Sequence, residues 1–189
     1  IHHCCNSAGT LELPDFHREM IRPGIIQYGY DASKEVLVTG TKIKPVMSLR
    51  CCITHLKTIY EGDCVGYGRH FTATGPTKIA TLPIGYADGY NRALSSKIDV
   101  IVHGVRAHQV GNICMDQCMI DVSHIPDVKV GDEVVLFGEQ GSECVSADEI
   151  ADTCHTIIHE ITCNINRRVP RIYVQNGKIV QRLEYLTQS

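Results

Sequence analysis

The sequence predicts a mostly β C-terminal domain, an antiparallel barrel or sandwich over residues 44–189. Before it, residues 1–43 read as the last two β/α units of a TIM-type barrel. Three observations predict this. First, Met47, Leu49, Cys51 and Ile53 alternate with Ser48, Arg50, Cys52 and Thr54, the period of a strand with one buried face. Second, apolar runs follow at 97–102, 105–110, 119–122 and 133–137, with turn pairs such as His103-Gly104 and Gly131-Asp132 beside them. Third, two strand-and-loop units stand in tandem at the start, I-H-H-C-C-N-S-A-G-T and M-I-R-P-G-I-I-Q-Y-G.

In chain order, residues 1–10 predict a short strand and a small-residue loop, 14–20 a brief helical segment, and 20–29 a second strand ending in a glycine-bearing loop. In a (β/α) barrel the loops after the last two strands commonly form an anion site from backbone N–H groups and a hydroxyl. Ser7 would supply the hydroxyl, and Gly24 with Ile25 the amides. Residues 30–44 shift to Asp, Ser, Lys, Thr and Gly, a linker with at most one short strand at 36–38. Glu61-Gly62-Asp63 turns the chain into the stretch 65–92. Ser146-Ala147-Asp148-Glu149 is a capping box, with Glu149 reaching back, and should start a helix running to about residue 158. Gln175-Asn176-Gly177-Lys178, between two β-rich runs, signals a type I′ hairpin.

Composition narrows the function. With 43% hydrophobic residues the 189-residue chain can bury a core. A net charge of -3, with no basic cluster beyond 166–168, argues against nucleic acid as a partner. No apolar run approaches the roughly 20 residues of a membrane span, and no leader pattern opens the chain, so a cytoplasmic protein with no membrane segment in this chain is expected. The first residue is Ile1, and a fragment of a longer protein is expected. The ten cysteines include the adjacent pairs Cys4-Cys5 and Cys51-Cys52 and no C-x-x-C, which reads as reduced thiols. Cys51 with His55, Cys114 with Cys118, and Cys154, His159 and Cys163 have spacings a metal could use. Free cysteine is commonly a small buried hydrophobe, so no metal is expected.

The chemistry gathers in 65–92, V-G-Y-G-R-H-F-T-A-T-G-P-T-K-I-A-T-L-P-I-G-Y-A-D-G-Y-N-R. Tyr67 and Tyr86 each sit against glycine, so the backbone can bend sharply there and present a phenol to an open site. Three further motifs accompany it: H-x-x-N-S at 3–7 followed by R-P-G-I at 22–25, V-G-N-I-C-M-D-Q at 110–117, and H-E-I-T-C-N-I-N-R-R-V-P-R-I-Y-V at 159–174. Together they resemble the alanine racemase family of pyridoxal-phosphate enzymes, and the resemblance covers the C-terminal half of such an enzyme.

That resemblance implies an amino-acid racemase interconverting L- and D-alanine with pyridoxal 5'-phosphate. Tyr67 is implied as a catalytic base; Ser7, Gly24, Ile25 and His159 as phosphate contacts; Arg22 as the partner of the pyridine nitrogen, hydrogen-bonded by His3. Met115, through its backbone N–H, and Tyr86 and Asp116 would serve the substrate, with Arg92 and Asn112 at the entrance. Arg171 is implied as a structural partner near the site. Guanidinium stays protonated, so Arg22 can donate to the ring nitrogen but cannot readily give it a proton. The ring is then a weaker electron sink, which suits proton return over other outcomes.

Racemisation needs a base on each face of the α-carbon. The second is implied to be the cofactor lysine of an A-x-x-K-A-x-A-Y-G motif, which this chain does not contain. Alone it is expected to be inactive. The N-terminal half of the same enzyme and a homodimer, in which Tyr67 serves the neighbouring subunit, are the implied partners. The sequence departs from the family at Asn112, where many relatives carry arginine, and at His159, where many carry tyrosine. His159 motivates the alternative of a serine or broad-specificity racemase. A non-catalytic β-domain binding a partner or metal is the alternative from another class.

Overall fold

In the computed structural model, which describes residues 1–32 and 43–186, the alternation after residue 48 becomes an antiparallel sheet that meets itself. The chain divides into two compact units, Ile1–Ser48 and Leu49–Ser189.

In the second unit β1 (Leu49–Cys52) and β2 (His55–Ile59) are separated only by Ile53 and Thr54. A hairpin of two-residue strands follows, β3 (Cys64–Val65) and β4 (Phe71–Thr72), then β5 (Thr77–Leu82), β6 (Asp99–Val102), β7 (Val105–Val110), β8 (Cys118–Asp121), β9 (Glu133–Gln140) and β10 (Glu143–Val145). The sheet order is β1-β9-β6-β7-β8-β5-β2, with β10 also on β9. Its first and last strands are two halves of one segment. Ile53 exchanges backbone bonds with Gly131 and Asp132 at the start of β9, at 2.8 and 3.0 Å, whereas Thr54 N donates to Thr81 of β5 at 3.0 Å. The sheet therefore rolls into a barrel, of the two forms the sequence allowed.

Both faces of the sheet carry buried apolar side chains, aliphatic but for one phenylalanine: Ile53, Leu82, Val100, Ile101, Ala107, Ile120, Val134, Val135, Leu136 and Phe137 are each at most 1% exposed. Burying such side chains contributes about 1.5–3 kcal/mol apiece. A second cluster, Ile59, Val65, Ala73, Ile79, Val110 and Met119 with Phe71 packed on it, supports the β3–β4 hairpin. In this unit the strands predicted around Leu49 and at 97–102, 105–110, 119–122 and 133–137 are present, and 105–110 keeps its bounds. The hairpin β11 (Arg171–Gln175) to β12 (Lys178–Leu183) turns at Asn176 (φ 50°) and Gly177 (φ 73°), as a type I′ turn requires.

The predicted long helix is two. α2 (Ala147–Thr153) starts at Ser146, whose Oγ accepts from Glu149 N at 3.0 Å. His155 then adopts φ 55° and ends the run, and α3 (Ile158–Asn164) begins afresh. Glu149 does not close the box: its carboxylate takes Arg106, at 2.8 and 3.0 Å, because a guanidinium fork outcompetes a single amide.

The first unit corrects another expectation. Its described residues form the helix α1 (Ser7–Glu12) and two short 3-10 turns, Pro14–Phe16 and Ile25–Tyr28, and the strands expected over 1–10 and 20–29 are absent among them. A strand needs a ladder of partners for its N–H and C=O groups, and among the described residues one backbone bond joins these two segments, Arg22 N to Cys5 O at 2.9 Å. Asn6 instead caps α1, its Oδ1 accepting from Gly9 N at 3.1 Å. The strand expected at 36–38 lies outside the described residues. Among the described residues no helix is long and apolar enough to cross a membrane.

Candidate active site

The turn that carries Tyr67 is built by the two glycines beside it. Gly66 (φ 73°) and Gly68 (φ 78°) lie in the left-handed region, and a Cβ on Gly68 would meet His70 Nε2 at 2.6 Å. Tyr67 caps this bend with its ring 78% exposed. Asn112 Nδ2 donates to the Tyr67 carbonyl at 2.8 Å, tying the turn to the loop after β7.

Tyr86 is placed differently. After β5 the chain turns through a 3-10 segment, Tyr86–Asp88, and runs against the loop before β8. Tyr86 N donates to Cys114 O and Ala87 N to Met115 O, both at 3.0 Å. The approach is so close that a Cβ on Gly85 would lie 2.2 Å from Cys114 O. Asp88, 7% exposed, folds back to accept from Gly85 N at 2.9 Å through Oδ2. Its Oδ1 takes Arg168 Nε at 3.3 Å, and Arg168 Nη2 reaches Asp116 Oδ1 at 2.6 Å. Asp116, then Asp88, raise the already high pKa of Arg168.

Between these loops opens a cleft of about 360 Å³, lined by Tyr67, Tyr86, Arg92, Asn112, Ile113, Cys114, Met115, Asp116 and Gln117. Six of the nine are residues for which the resemblance implied base, substrate or entrance roles. The cleft offers two phenols, a guanidinium and a carboxylate. Its wall adds a free donor, because the Met115 amide reaches no acceptor among the described residues. Such a set can orient a small zwitterion and exchange a proton with it.

The remaining predicted residues lie elsewhere. His159, exposed on α3, does not line the cleft. Arg171 caps the end of α3: its guanidinium donates to the carbonyls of Ile165, Asn166 and Val169 at 2.7, 3.3 and 2.9 Å. In the first unit Gly24 N donates to the Oγ of the buried Ser7 at 2.9 Å, so the Gly24 amide expected on the anion is engaged within the chain and the Ser7 hydroxyl keeps its proton to donate. The Ile25 amide, opening its 3-10 turn, reaches no acceptor among the described residues. A hydroxyl and a free amide around a glycine suit a phosphate. Arg22 Nη2 donates to Cys4 O at 3.3 Å, and no hydrogen bond joins it to His3 among the described residues.

Sequence reasoning missed Asp88 and Arg168. Asp88 lay inside the quoted I-G-Y-A-D-G-Y, but nothing local marks a carboxylate that will be shared with a residue 80 positions on. All ten cysteines are free, and among the described residues no group of three or more His, Cys, Asp or Glu could hold a metal.

Known proteins share this sequence and fold. The family model described as alanine racemase, C-terminal domain, matches residues 46–173. Alanine racemase 1 of Clostridium acetobutylicum is 48% identical over 186 residues, covering 98% of this chain and 48% of the relative. The alanine racemase of Clostridium tetani is 49% identical over 187 residues, with 98% and 48% covered. Among solved structures, alanine racemase of Clostridium difficile 630 in complex with cycloserine superposes with a TM-score of 0.90 at 43% identity, covering 97% of this chain and 48% of that one. That of Bacillus anthracis with bound L-Ala-P gives 0.91 at 39% identity, covering 97% and 47%. The chain thus spans about half the length of the relatives it matches.

Proposed function

Because the chain belongs to the alanine racemase C-terminal domain family, we propose that it is the C-terminal half of a pyridoxal-phosphate-dependent racemase interconverting L- and D-alanine. The observation that carries this reading is the convergence of Tyr67, Tyr86, Arg92, Asn112, Met115 and Asp116 on one cleft. In this reading residues 1–43 are the last part of a barrel whose other strands lie in the N-terminal half. The absence of a strand ladder for residues 1–10 and 20–29 is consistent with it.

Ser7 and Ile25 would hold the cofactor phosphate, with Gly24 keeping the approach open. Arg22 would donate to the pyridine nitrogen, and His159 and His3 would play supporting parts. Bound there, pyridoxal phosphate supplies the electron sink that acidifies the α-proton. Tyr67 takes or returns that proton on one face, and the lysine of the N-terminal half works on the other. A phenol has a pKa of about 10 and needs a cation to act near neutrality. The Met115 amide donates to the substrate carboxylate, and Asp116 orders the polar groups around it. The high exposure of Tyr67 supports a homodimer in which its ring serves the neighbouring subunit.

The test joins this chain to its N-terminal half and follows D-amino acid formed from L-alanine and from L-serine. Faster turnover of L-alanine is expected; turnover of neither overturns the reading. His159, which motivated a broader substrate range, stands off the cleft wall, and no observation there favours serine. Metal analysis of the purified protein tests the binding-module alternative, which stoichiometric zinc would favour.

A further inference from the structure

We propose that Arg168 is a positioning residue of the cleft: by bridging the carboxylates of Asp88 and Asp116 it fixes the loop carrying Met115 against the loop carrying Tyr86, and masks a negative charge where the substrate carboxylate must enter. The masking role rests on the racemase reading; the bridge does not.

The two loops meet through Tyr86 N to Cys114 O and Ala87 N to Met115 O, which secure the near side of the 114–117 loop. Its outer corner, Met115-Asp116, is exposed, and the side-chain tether there is Arg168. That tether is itself anchored. Asn166 N donates to Asp88 O at 2.9 Å, and Asn166 Oδ1 accepts from Arg168 N at 3.0 Å. The side chain therefore leaves a backbone already bound to the Tyr86 loop. Asp88 then has both oxygens engaged, one by Gly85 N and one by Arg168 Nε.

Nε and Nη2 of one planar guanidinium reach the two carboxylates in a fixed geometry that the point charge of a lysine does not reproduce. The Asp116 side chain is 57% exposed and lines the cleft, so without its partner it stands as a bare anion beside the substrate path. A like charge at that range opposes an incoming carboxylate and leaves the proton-transfer groups where they are.

The experiment compares full-length wild type, R168K and R168Q at low and high ionic strength. In R168Q, amide hydrogen exchange should quicken at 114–117 and stay unchanged in β8. KM for alanine should rise about fivefold while kcat stays within about twofold, the size of one unscreened charge contact. R168K should recover part of the KM loss and little of the exchange protection. In R168Q the excess of KM over wild type should shrink as ionic strength rises, because salt screens the bare charge, while exchange stays fast. Unchanged exchange in R168Q overturns the bridge. Unchanged KM in R168Q, or a KM excess that does not shrink with salt, overturns the masking role. A wild type that racemises no amino acid but shows the exchange change keeps the bridge and defeats the racemase reading.

Discussion

Asn112 holds Tyr67 by its backbone, Nδ2 to the carbonyl at 2.8 Å, and leaves the phenol free. The residue aimed into the open is thus fixed at its base by the neighbouring motif. The flanking glycines at positive φ allow a bend that a residue with a Cβ rarely adopts, and the Asn112 bond selects it.

This separation gives two distinguishable variants. In the full-length protein, Tyr67→Phe should lower kcat about 10²- to 10⁴-fold with an unchanged melting temperature, the loss expected of a removed acid-base group. Asn112→Ala should cost about 1 kcal/mol of stability for one hydrogen bond and lower kcat/KM only modestly. Calorimetry beside steady-state kinetics checks both, and retained activity in Tyr67→Phe removes Tyr67 from the base role.

Gly85→Ala should damage the fold and the cleft together. Its added Cβ would stand 2.2 Å from Cys114 O and 2.4 Å from Met115 O, both backbone atoms that cannot swing aside. A loss of about 1–3 kcal/mol is expected, as for other overpacked sites, and urea unfolding reads it.

Asp132 makes stability depend on acid. The Lys129 amide, at 2.9 Å, is the main cause holding its carboxyl below the ordinary value, and His103, at 2.8 Å, adds to it. A lowered folded pKa means the contribution is complete above the ordinary aspartate value of 3.8 and drains as pH falls through the folded value. Asp132→Asn should flatten that acid limb. Melting temperatures from pH 2 to 7 for both proteins check it.

Two adjacent thiols should part company under alkylation. Burial, with Cys52 beside it, pushes Cys51 up to about 12, whereas the Cys52 side chain is exposed. At pH 8 iodoacetamide should modify Cys52 at least about a hundredfold faster than Cys51, read by fragment masses of the shared peptide. The same shift makes the barrel lose stability as pH rises through the folded value of Cys51.

The barrel was legible where the chain repeats itself. The alternation around Leu49, the runs at 105–110 and 133–137, and the Asn-Gly turn are local patterns, and each became the element it predicted. Wherever a distant partner decides, sequence fell short. Glu149 left its capping role for Arg106, 43 positions away, and the apolar segments near Ile1 and Ile21 found no neighbouring strand. Site residues followed the same rule. Tyr67, Tyr86 and Met115 sit in motifs that can be read in a line, whereas Arg168 acquires its role only once 88 and 116 have been folded onto it.

The continuity of β1 and β2 sets a schedule for folding. Leu49 pairs with Phe137 and Cys52 with Glu133, so the early segment that closes the ring waits for residues more than 80 positions later. As the chain leaves the ribosome, β2, β5 and β8 can zip first through nearer contacts, and β1 docks only after β9 has emerged. Ring closure is thus the pairing with the greatest loop to close, and the Arg168 bridge to Asp116 can form only after it, since Arg168 follows β9 in the chain.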